Sequence, residues 1–180
     1  TGQALRFGGQ VIKNVAGYDV SRLMVGSLGT LGVMTEISLK VLPRPVAEMS
    51  LQFEMPEAEA IETMNRWAGQ ALPLSATSWH AGLLSVRLSG AQSAVHAAHA
   101  KLGGESMHDA SAFWQRLREH STPFFDKRPL WRLAVKPTHA SFGLDDAQWI
   151  EWGGAVRWLN TGLSPSRLRQ IARDAGGHAT

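Results

Sequence analysis

The chain has 180 residues with a formal charge of +3 and a pI near 9.7, and it contains no cysteine. The missing thiols exclude disulfides, thiolate zinc sites and cysteine-ligated iron–sulfur clusters, so any redox chemistry must come from a bound cofactor. Basic residues are dispersed except for Arg167, Arg169 and Arg173, which is not the stripe of a nucleic-acid binder, and no apolar run approaches the ~18 residues of a membrane span.

The chain opens on TGQALRFGG, with neither a starting methionine nor a signal-peptide pattern. Leu5 to Lys13 reads as a strand broken at Gly8-Gly9, with Val11 and Ile12 its apolar centre. Asn14, Gly17, Tyr18 and Asp19 form a polar loop, and Asp19 is placed to cap a short helix that uses Leu23 and Met24 and stops at Gly26. Gly26, Gly29 and Gly32 then lead into a segment in which Val33, Thr35, Ile37, Leu39 and Val41 alternate with Met34, Glu36, Ser38, Lys40 and Leu42. That period of two predicts a half-buried strand ending at Pro43.

A glycine-rich turn can set backbone amides against phosphate or ribose oxygens. A Walker loop ends in Gly-Lys-Ser/Thr and a Rossmann fingerprint runs into a helix; neither pattern is present. From the residues alone, a structural turn and a ligand contact both stand.

Pro43-Arg44-Pro45 cannot continue a ladder and marks a domain boundary. Beyond it, Met49, Leu51, Phe53 and Met55 alternate as an amphipathic strand. Pro56, Glu57 and Glu59 open a helix whose apolar face includes Ile61, Met64 and Ala68, stopped by Pro73. Strands over 74–79 and 83–88, a helix over 91–102 and the stop Gly103-Gly104 complete a strand, helix, strand, strand, helix order. This order predicts an antiparallel sheet with helices on one face, as in ferredoxin-like folds.

A helix over 113–119, ended by Pro123, reads as an insertion. A strand over 130–135, a hairpin of 149–152 and 155–159 across Gly153-Gly154, and a helix capped by Ser164 and opened by Pro165 read as a second, looser copy of a strand, strand and helix unit.

Lys13 to Pro45, KNVAGYDVSRLMVGSLGTLGVMTEISLKVLPRP, resembles the second half of the FAD-binding domain in flavoproteins of the p-cresol methylhydroxylase and vanillyl-alcohol oxidase type. With FWQRLRE, PFF, WIEWGGAVRWL and ARDAGGHAT further on, the chain is most similar to the FAD-binding E subunit family of bacterial glycolate oxidases. The resemblance implies an α+β fold: residues 1–45 as the C-terminal portion of an FAD domain and 46–180 as an α+β cap domain incomplete at its end. The chain is then a fragment, lacking the first half of the FAD domain and retaining the cofactor only in the full-length protein. Asn14, Gly17, Tyr18, Gly26, Ser27, Gly29, Thr30, Gly32 and Val33 are the implied FAD contacts.

The implied reaction oxidises glycolate to glyoxylate by hydride transfer to flavin, with electrons passed onward. The implied partners are the flavoprotein D subunit, an iron–sulfur F subunit and a small 2-hydroxy acid. The implied location is cytoplasmic, with the inner membrane reached only through partner subunits. The family's D subunits carry a G-H-x-G-D-G-N-x-H motif after the cap strands, and WGGAVRW lacks its histidines. That departure leaves open a non-catalytic scaffold role, and action on another 2-hydroxy acid is also open.

Few side chains point to chemistry on their own. Arg157 in GGAVRW is a candidate to grip a carboxylate, or else an outer-face strand residue. His178, beside Gly176-Gly177, is a candidate base, or else an ordinary loop histidine. His96 and His99 are three apart on a helix without a third ligand and read as surface residues, so no metal site is expected. Trp131, Trp149, Trp152 and Trp158 fall on expected strands and read as core.

Overall fold

The computed structural model describes residues 2–9, 17–145 and 147–180. These form two compact units, Thr1–Pro43 and Arg44–Thr180. No helix among the described residues is long and apolar enough to cross a membrane.

In the first unit the only regular element among the described residues is helix α1, Val20–Met24, where the Asp19 carboxylate accepts from the Arg22 amide at 3.0 Å. The strand expected from the alternation after Gly32 is absent. Residues 33–43 have no ladder partner among the described residues, and Val33, Leu39 and Val41 are 90%, 81% and 79% exposed. Alternation prepares a chain for a sheet, but a strand exists only where neighbouring backbone groups complete it. Residues 5–9 likewise carry no strand, and the rest of that expected element, with Asn14, lies outside the described residues.

The second unit is one antiparallel sheet of eight strands: β1 Ala47–Glu54, β2 Leu74–His80, β3 Leu83–Gly90, β4 Glu105–Ser106, β5 Leu130–Ala134, β6 Ala147–Glu151, β7 Val156–Asn160 and β8 His178–Ala179. Across the sheet they run β4-β1-β3-β2-β6-β7-β5-β8. The first four, with α2 (Glu57–Ala68) and α3 (Gln92–Leu102), have the strand, helix, strand, strand, helix order expected from the sequence. The last four repeat its spatial order outward from the seam, with α6 (Pro165–Asp174) as their helix. The halves meet edge to edge over three residue pairs, Ser78 with Glu151, Trp79 with Ile150 and His80 with Trp149.

Among the described residues the second half has no counterpart of α2, and residues 135–145 carry no helix or strand in its place. Helix α4 (Ala110–Arg118) and the one-turn α5 (Pro123–Asp126) lie between the halves in sequence. Pro123, expected to stop a helix, instead opens one, since the missing amide of a first helical residue costs nothing.

Alternation settles the faces of this sheet. Leu51, Leu84, Val86, Leu88 and Ile150 pack with Ile61, Met64 and Val95 of α2 and α3, and Leu133 and Leu159 pack with Leu168 and Ala172 of α6. Each wholly buried leucine contributes about 1.5–3 kcal/mol through removal from water. On the opposite face α4 and α5 bring Leu117, Phe124 and Phe125 onto Trp149. Over β1, β2 and β3 that face is instead floored by small or polar residues, Ser50, Ala76, Ser78, Ser85 and Arg87.

Candidate functional site

The glycine-rich turn begins where α1 ends. The Ser27 amide donates to the Met24 carbonyl at 3.2 Å, and the Thr30 amide and hydroxyl both donate to the Ser27 carbonyl, at 2.9 and 2.7 Å. Gly26 and Gly29 hold φ of +77° and +79° with Leu28 at +51° between them, a path that L side chains rarely adopt. A Cβ added at Gly26 or Gly29 meets nothing within 4 Å, so conformation and access, not local packing, call for glycine there.

Gly17, also at positive φ, and Tyr18, 96% exposed, precede α1. Gly26, Gly29, Thr30, Gly32 and Val33 are exposed, and the buried Ser27 hydroxyl has no hydrogen-bond partner among the described residues. An accessible turn with an orphaned hydroxyl fits the phosphate and ribose oxygens of a dinucleotide.

The second unit contains an open groove of about 1130 Å³. β2 pairs with β6 only over 78–80, so Leu74, Ala76 and Thr77 pair with β3 alone, with a bulge at Ser75, and the groove lies along this stretch. The walls include Trp67, Trp114, Leu117 and Trp152, and the polar groups include Ser50, Arg87 and Glu151. The Trp114 indole donates to the Ser50 hydroxyl at 2.8 Å, and the Arg87 guanidinium lies 5.6 Å from the Trp114 ring centre.

Glu151, at the end of β6, accepts from the Trp158 indole at 2.7 Å. Burial pushes its carboxyl above the ordinary range, opposed in part by that hydrogen bond and by the charges of His120 and Arg132. Trp152 was expected on a strand, but it opens a 3₁₀ turn, Trp152–Gly154, at φ +55° and is 77% exposed. Trp149 is buried as expected, and Trp131 and Trp158 are partly buried.

Arg157 is not on an outer face. It is wholly buried, with Nε donating to the Gly154 carbonyl at 3.1 Å, Nη1 to Ala140 at 2.7 Å and Nη2 to His139. The Phe142 ring centre is 4.5 Å from it, and burial lowers its pKa with Glu57 opposing. Its guanidinium therefore secures the loop that stands where α2 would be. The Asn65 amide adds a hydrogen bond to the Pro137 carbonyl of that loop at 2.9 Å.

His178 is exposed on β8 opposite Ala134, an edge strand and not the loop envisaged as the alternative to catalysis. No group of three or more metal-ligating side chains occurs among the described residues. Sequence reasoning passed over Glu151, Arg87 and Trp114. The alternation that aligns Glu151 with Trp149 was available as a signal, whereas the groove itself depends on pairings remote in sequence.

Over 180 residues, 99% of its length, the chain is 49% identical to glycolate oxidase subunit GlcE of Escherichia coli. The chain is a relative of that subunit. It spans 51% of the length of GlcE, about half. It is also 50% identical over 50 residues to glycolate oxidase subunit GlcD of Bacillus subtilis, covering 28% of this chain and 11% of that protein. A D-lactate dehydrogenase of Anaerostipes hadrus is 47% identical over 51 residues, 28% of this chain and 11% of that enzyme. No protein-family model and no solved structure matches the chain.

Proposed function

We propose that this chain is part of an FAD-linked oxidoreductase subunit of the glycolate oxidase type, with Arg44–Thr180 serving as its cap domain. The observation that carries the reading is the 49% identity to GlcE over nearly the whole chain. Gly26, Ser27, Gly29, Thr30, Gly32 and Val33, with Asn14, Gly17 and Tyr18, would hold the adenosine and pyrophosphate part of FAD, mainly through backbone groups. The support for this is the accessible turn at positive φ and the unpartnered Ser27 hydroxyl.

FAD, when bound, supplies the two-electron acceptor that these side chains lack. The exposed row Val33, Ile37, Leu39 and Val41 suits burial against the part of such a subunit that lies outside the matched half. The whole complex would oxidise glycolate or a related 2-hydroxy acid and pass electrons onward, with a D-type flavoprotein subunit and an iron–sulfur subunit as partners. In this chain Arg157 supports the cap rather than gripping substrate, since three of its nitrogens already serve backbone carbonyls.

The test is to make the chain at the length of GlcE and replace Gly29 and Gly32 by valine. Valine at the positive φ of Gly29 distorts the turn, so flavin content measured by absorbance falls severalfold while the cap remains folded by circular dichroism. Unchanged flavin content and unchanged glycolate turnover in the complex would instead support a scaffold role.

A further inference from the structure

We infer that the groove of the second unit binds an organic carboxylate with an apolar body, and that Arg87 is its anion anchor. This does not depend on the flavin reading, because the groove and all its groups lie within Arg44–Thr180.

Arg87 stands on β3, on the sheet face away from α2 and α3. Its Nε–H donates to the Ser75 hydroxyl at 2.9 Å, and that hydroxyl donates in turn to the Arg87 carbonyl at 3.1 Å. This ring between the β2 bulge and β3 fixes the guanidinium beside Trp114. The two terminal nitrogens make no hydrogen bond or ion pair among the described residues, so a half-buried fork of N–H donors lines the groove with its terminal donors unused.

The carboxylates of the groove are otherwise engaged. Glu48 accepts from the Ser89 hydroxyl at 2.9 Å and Glu151 from Trp158 at 2.7 Å. The other lining arginine, Arg118, bonds Glu119 through Nε at 2.9 Å and Nη2 at 2.8 Å. Arg87 is thus the free cation among the described lining residues.

A guanidinium fork with its Nε fixed matches a carboxylate in two parallel hydrogen bonds. One free cation with Glu48 and Glu151 in the same groove disfavours a dianion such as a phosphate monoester. The walls select the rest of the ligand. Trp114, beside Arg87, and Trp152 present aromatic surface, and Trp152 is held exposed in a left-handed conformation that an unconstrained tryptophan would leave. A volume of about 1130 Å³ lies just above the usual range of small-molecule sites and far exceeds what a two-carbon acid fills.

The probes are phenylacetate and its neutral analogue phenylacetamide, titrated into the 180-residue chain with tryptophan fluorescence as the readout. Saturable quenching by phenylacetate is expected, with affinity at least ~10-fold weaker for the amide and for Arg87→Gln, the scale of a lost charge-assisted hydrogen-bond pair. Arg87→Lys, which keeps the charge and the stem but not the fork, should bind severalfold more weakly than wild type. If circular dichroism shows Arg87→Gln to be unfolded, the lysine variant decides. The inference is overturned by no saturable quenching up to ~20 mM phenylacetate, by equal affinity for acid and amide, or by a folded Arg87 variant that binds as wild type does.

Discussion

The two units carry the same kind of amphipathic alternation, yet it comes to opposite ends. In β1 and β3 each residue faces a partner, Leu51 beside Val86 and Phe53 beside Leu84, and the apolar set closes over α2 and α3. In 33–41 the same period runs without a partner among the described residues, and Val33, Ile37, Leu39 and Val41 stay exposed. A period of two therefore encodes readiness to pair, and the free energy arrives only with the neighbouring strand.

The difference can be broken or sharpened by substitution. The largest expected effect in the second unit is Arg157→Met, which strips the donors of a wholly buried guanidinium from one buried and two partly buried carbonyl contacts and should lower stability by about 3–5 kcal/mol in urea unfolding. Arg22→Met, which loses only an exposed pair with Asp19, should stay within about 0.5 kcal/mol. Next, Leu84→Ala at a wholly buried site should lose about 2–5 kcal/mol, against at most about 0.5 for Leu39→Ala. Equal losses at Leu84 and Leu39 would show that 33–41 is packed in solution and would end the contrast.

The smallest effect concerns Glu151. Its folded pKa is raised, so the stability it contributes is fully present below the ordinary carboxylate range and is lost as pH rises through its folded value. Glu151→Gln keeps an oxygen for the Trp158 indole and removes the charge. Its Tm should exceed that of wild type by a few degrees near pH ~8 and match it near pH ~4. Parallel pH profiles for the two proteins would refute the raised carboxyl.

Much of the second unit was legible because its signals are local. Pro56 and Glu57 open α2, Ser164 caps α6 by accepting from the Arg167 amide at 3.3 Å, and Gly103 ends α3. The glycine turn was legible too, since Gly26 and Gly29 take the φ that only glycine adopts freely. What could not be read depends on distant pairings. The side to which Arg157 points follows from the β6–β7 and β5–β7 registers, and the carbonyls it meets come from a loop 17 and 18 residues away. The groove lies along the stretch of β2 beyond its three pairs with β6, and the exposure of Trp152 follows from a 3₁₀ turn where a strand was the local expectation.

The most direct test of the central claim is the visible absorption spectrum of the chain produced at the length of GlcE, recorded after purification and again after incubation with FAD. The account predicts the two-band flavin spectrum bound at about one FAD per chain, lost on substitution of Gly29. A protein that is folded, colourless and unable to take up FAD would contradict it and leave the glycine-rich turn as a purely structural element.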